Sequence, residues 1–195
     1  MIFQEINKSY FTFLIIFFPI AMIFFAIISS FALTKYLQRR SKISLYYALT
    51  NLIFTSLFSI MEISIFSALK AGEKNTLYYF GILYMNLGII ATSMFYFLFY
   101  AELREINPKR KKLILILGVL LLIFELILTP EWLESTSNGM KLTYIAYLFQ
   151  TIYCVYVYIS MGGEFLKISK RATERRRELR FLGIGSELMF IFFIL

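Results

Sequence analysis

Glutamate is the side chain with the most chemistry to offer in this chain, because three of them stand inside long apolar runs: Glu62, Glu125 and Glu187. A carboxylate at hydrocarbon depth is costly, so an acid kept there is a candidate for binding a ligand, a cation or a proton. Glu62 lies well inside its run. Glu125 is five residues before Pro130, within reach of the end of its run, and Glu187 follows an arginine-rich segment that can pair with it. Glu62, with Tyr84 and Asn86 on the next apolar run, forms the expected ligand-binding group, and Glu125 is a fourth candidate. Neutral polar residues in such runs, Asn51, Asn86 and Gln150, are more often hydrogen-bond partners between helices than binding groups. Tyrosines at the ends of runs serve as interface anchors.

What is missing narrows the chemistry further. The chain contains no histidine, all twelve acidic residues are glutamates, and its one cysteine is Cys154. Within these residues there is no imidazole catalyst, no His-ligated metal and no phosphoaccepting histidine. A single cysteine makes neither an internal disulfide nor a multi-cysteine metal site. No phosphate-binding glycine loop, HExxH, GxSxG or pore-filter signature occurs. The sequence therefore predicts no enzymatic activity, no metal and no cofactor.

These residues need elements to hold them, and composition defines those elements. Of 195 residues, 59% are hydrophobic and 19% aromatic, against about 45–50% apolar for an ordinary globular domain. A soluble chain of this size has too little core to hide that much apolar surface, whereas lipid covers it directly. About 20 apolar residues cross the hydrocarbon core, and the runs predict an all-α polytopic bundle with segments near 10–34, 44–69, 77–101, 113–130, 142–163 and 181–195. Pro19 falls in the first segment and is expected to kink it. The fourth is expected to stop at Pro130. The sixth ends on FIFFIL with no polar flank, which leads us to expect that the natural chain continues.

The net charge of +8 is topological rather than a nucleic-acid footprint, because the cations come in short blocks between runs. Of twenty Lys and Arg, only Lys8, Lys70, Lys74 and Lys141 lie at the N-terminus or after the second and fourth runs. The other sixteen follow the first, third and fifth, among them Arg39, Arg40, Lys109, Arg110, Lys111, Lys112, Arg171, Arg175, Arg176 and Arg177. By the positive-inside rule those blocks are cytoplasmic and the N-terminus is outside. The blocks are expected to set topology at the lipid headgroups and to dock a downstream element.

The order of features carries a resemblance. KYLQRR closes the first helix. LYYALTNLIFTSLFSIMEI and LYYFGILYMNLGIIATSMFYFLFYAEL form the second and third, a basic loop, PKRKK, leads to the fourth, and an arginine-rich stretch after the fifth runs into RFLGIG. This layout resembles the seven-helix N-terminal sensor module of prokaryotic membrane histidine kinases. Arg176, Arg177, Arg180, Leu182 and Gly183 sit like the stretch that precedes that family's sixth helix. The seventh helix and the output domain are not among these residues. The resemblance implies a receptor of the plasma or inner membrane that detects a small or lipophilic ligand. It would signal by helix repacking, as a homodimer or through a downstream signalling protein. A small secondary transporter or proton-coupled carrier using Glu62 is the alternative.

Overall fold

The computed structural model describes residues 2–71, 76–104, 106–133, 137–171, 180, 183 and 184. Among them the regular structure is entirely helical: α1 (Ile2–Arg39), α2 (Lys42–Ala71), α3 (Thr76–Arg104), α4 (Pro108–Leu133) and α5 (Ser137–Arg171). Three stretches are long and apolar enough to cross a membrane: Phe13–Arg39, Lys42–Lys70 and Thr76–Arg104. The expected sixth segment falls almost wholly outside the described residues. The chain divides into two compact units, Met1–Glu102 and Leu103–Leu195.

The helices outrun the apolar stretches at both ends, because hydropathy marks only the part that needs lipid, while the hydrogen-bond ladder continues past it. α1 runs unbroken through Pro19, and α4 continues past Pro130 to Leu133. A proline removes one ladder bond, which a helix in apolar surroundings tolerates. α1 ends where Arg40 takes φ 52°, with its N–H donating to Tyr36 O at 2.7 Å. That left-handed cap usually falls to glycine. At the start of α4, Asn107 Oδ1 accepts from the Lys109 N–H at 2.9 Å and Asn107 O from the Lys111 N–H at 3.0 Å. Asn107 is thus an N-cap with Pro108 at the first helical position, where proline's missing N–H costs nothing. The KRKK block, expected as loop, forms the opening turns of α4.

In the first unit α1 packs on α2 through phenylalanines. Phe25 stacks on Phe54 and Phe58 with ring centroids 4.9 and 5.7 Å apart, and Phe18 lies 5.4 Å from Phe58. The opposite face of α1 carries Phe13, Ile16, Ile20, Ile23, Phe24, Ile27 and Phe31, all more than half exposed. A soluble monomer does not leave an apolar face of this length in water.

α2 and α3 run antiparallel, and two glycines set their spacing. A Cβ at Gly81 would fall 2.6 Å from Ser64 Cβ, and one at Gly88 2.8 Å from Leu57 Cγ. Small residues of this kind let membrane helices approach closely. In the second unit α4 and α5 are also antiparallel. Arg110 donates to Tyr156 Oη at 3.0 Å, Tyr153 Oη donates to Ile114 O at 3.3 Å, and the Phe124 and Phe149 rings meet edge-on at 6.5 Å.

Candidate functional site

α2 and α3 position the first unit's candidates. Tyr84 Oη lies 3.1 Å from Ser56 Oγ across the two helices. Asn86, two residues further along α3, is buried at 3% exposure. Glu62 is half-exposed on α2, one residue from Met61, whose sulfur lies close to Gly81. Its neighbour Ile63 is 59% exposed, which puts Glu62 at the edge of the face that α2 turns away from its partners.

Glu125 belongs to the second unit. Its position near the end of an apolar run suggested an interfacial carboxylate, yet it is 1% exposed. Distance along a helix and direction around it are independent. Glu125 is near the end of its run axially but points inward, whereas Glu62 is deep axially but points to an edge. One helical turn carries both a buried and an exposed face, so depth in a run does not fix burial.

The neutral polar residues divide by how they are satisfied. Asn51 Nδ2 donates to Tyr47 O at 2.7 Å within α2, rather than across a helix interface. Thr50, Thr55, Ser64, Thr92 and Ser93 likewise donate to carbonyls one turn back on their own helices, the usual device by which hydroxyls are kept in apolar helices. Gln150 differs. It is 6% exposed, and its Oε1 is buried with no hydrogen-bond partner among the described residues. A cross-helix partner was expected for it. Its apolar neighbours in sequence gave no sign that the oxygen would be left over.

A cluster of charge not anticipated from sequence joins Arg104 at the end of α3 to α5. Arg104 lies 3.7 Å from Glu164, and Lys167 lies 3.4 Å from the same carboxylate. Lys167 is largely exposed and Arg104 partly so, so the cluster adds little stability. Of the basic blocks, Arg39, Arg40, Lys109, Arg110 and Lys112 are exposed and Lys111 is half-exposed, while Arg171 ends α5. Arg175, Arg176, Arg177 and Glu187 lie outside the described residues. Gly183 packs on α5, where a Cβ would come 2.8 Å from Leu166 Cγ.

Among the described residues no group of three or more His, Cys, Asp or Glu is placed to hold a metal ion. Cys154 is buried. The structure thus brings Tyr84 to Ser56 within a tight two-helix contact and places Glu125 in the other unit. No family model, curated protein or solved structure matches the chain.

Proposed function

We propose that this chain is a membrane-embedded sensor module, which detects a small or lipophilic ligand and transmits the event by repacking its helices. The observation that carries this reading is the α2–α3 contact. Gly81 and Gly88 leave no room for even a methyl group, and the Tyr84–Ser56 hydrogen bond bridges the same two helices. Close-packed interfaces absorb little strain locally. A ligand that inserts beside Tyr84 and Asn86 must therefore move a helix, and it shifts the equilibrium only as far as it binds one packing better than the other.

The same reading takes the chain across a prokaryotic plasma or inner membrane six times with its N-terminus outside. Its support is the sixteen-to-four partition of Lys and Arg along the sequence and the layout shared with sensor modules of histidine kinases. Signal output then passes to a second copy or to a downstream signalling element on the cytoplasmic side.

A proton-coupled carrier is the second reading, favoured by the burial of Glu125 within an apolar helix and by Glu62. Two experiments on protein reconstituted in liposomes separate them. A Ser56→Cys/Tyr84→Cys pair reports the α2–α3 contact, and its disulfide formation rate should change when a panel of uncharged lipophiles yields a binder. No change in rate with any bound lipophile removes the sensor mechanism. Proton-coupled uptake that is lost in Glu62→Gln or Glu125→Gln would establish the carrier instead.

A further inference from the structure

We propose that the outward face at the start of α4 is a binding groove for one anionic phospholipid. The phosphate would sit at Lys111 and Lys112 and an acyl chain along Ile116, Val119 and Leu120. The inference rests on the reading that the chain lies in a membrane.

The groove is a feature of the structure, lined jointly by Pro108, both lysines and the apolar side chains that follow them one and two turns on. Ile116, Val119 and Leu120 are 45%, 46% and 56% exposed, so the described residues leave about half of each uncovered. Polarity is sharply divided along one helix face: cations for the opening turns, then aliphatic carbon only. A phospholipid has this same division, and a soluble anion has only half of it.

Charge supplies the second argument. Lys109, Arg110, Lys111 and Lys112 occupy the opening turns of α4, next to the positive end of its macrodipole, and no acidic residue stands in the first turn. Cations there oppose the helix dipole. A phosphate placed among them is attracted by the lysines and by the helix end together. Basic residues next to an apolar helix are also the sequence signature of anionic-lipid recognition. A single phospholipid satisfies every part of the groove, whereas a second copy of α4 would bring four more cations against these.

The test is lipid retention. Full-length protein is reconstituted in phosphatidylcholine bilayers containing a minority of phosphatidylglycerol and released into mild detergent, and the bound lipids are counted by native mass spectrometry. Phosphatidylglycerol should be retained in preference to phosphatidylcholine. Lys111→Gln/Lys112→Gln should lower that retention about tenfold, while Lys35→Gln/Lys42→Gln, an equal loss of charge elsewhere, should not. Val119→Trp, which fills the groove and keeps both lysines, should lower it too. Soluble glycerol phosphate in excess should displace nothing.

Unchanged retention in the Lys111/Lys112 variant overturns the proposal. So does displacement by glycerol phosphate, or cross-linking of two copies through Ile116→Cys at every lipid composition. Carbonate washing of the same vesicles separates the two layers of the argument. A chain that stays in the bilayer without preferring phosphatidylglycerol refutes the groove alone, and a chain stripped from the vesicles refutes the membrane reading with it.

Discussion

The α2–α3 contact and the α4–α5 pair both bury polar groups in apolar helices, but they dispose of them differently. On α2 and α3, several hydroxyls and the Asn51 amide turn back onto their own helices, and the contact between the two helices is built on close-packed glycines with a Tyr84–Ser56 bond beside them. In the second, a buried bond from Tyr153 to Ile114 O and an exposed one from Arg110 to Tyr156 cross between helices, while Glu125 and Gln150 are buried. The first interface depends on fit, the second on polar pairing. Shape changes should therefore damage the first more, and polarity changes should act more on the second.

The largest contrast is in the glycines. Gly88→Leu forces a side chain into Leu57 and should cost about 3 kcal/mol of stability, at the upper end of overpacking. Gly163→Ala on α5 meets nothing within 4 Å and should be neutral or stabilising by up to about 1 kcal/mol, the helix-propensity gain. Thermal unfolding in one detergent measures both, and equal losses at the two sites would erase the distinction.

Gln150→Leu comes next. It removes a buried acceptor that has no partner among the described residues, so stability should rise by about 1 kcal/mol. A fall of that size would show that the amide is paired in the membrane. Tyr84→Phe deletes one interhelical hydrogen bond and should cost about 0.6 kcal/mol, the average for such bonds in a membrane protein. A cost of several kcal/mol would move the first unit into the polar-pairing class. The smallest effect is expected at Arg40→Gly, where relief of the left-handed φ should outweigh glycine's extra chain entropy and leave a gain below about 1 kcal/mol.

Sequence made the helices legible because lipid-length apolar runs have few alternative readings, and each of the first five runs contains or closely matches the core of a helix. It misplaced the start of α4 because KRKK reads as loop by hydropathy, while the Asn107-Pro108 pair that caps the helix is a local signal independent of hydropathy. The candidate site was less legible. The seven-residue spacing of Gly81 and Gly88 puts them on one helix face, but their partners Ser64 and Leu57 are set by the antiparallel register of α2. The burial of Glu125 and the edge position of Glu62 depend on rotation about each helix, to which their place in an apolar run is blind. The Arg104–Glu164 pair joins residues sixty positions apart in the chain, and no sequence spacing encodes it.

Hydrocarbon, not water, should cover the bare face of α1. Spin labels placed singly along Phe13–Phe31 in the reconstituted protein test it directly through collision with oxygen, which concentrates in lipid, and with a water-soluble nickel chelate. The account predicts oxygen maxima at Ile16, Ile20, Ile23, Ile27 and Phe31, minima at the buried Leu14, Phe18 and Ala21, and little nickel contact anywhere in the span. Strong nickel contact at Ile20 and Ile27 would place that face in water and contradict the account.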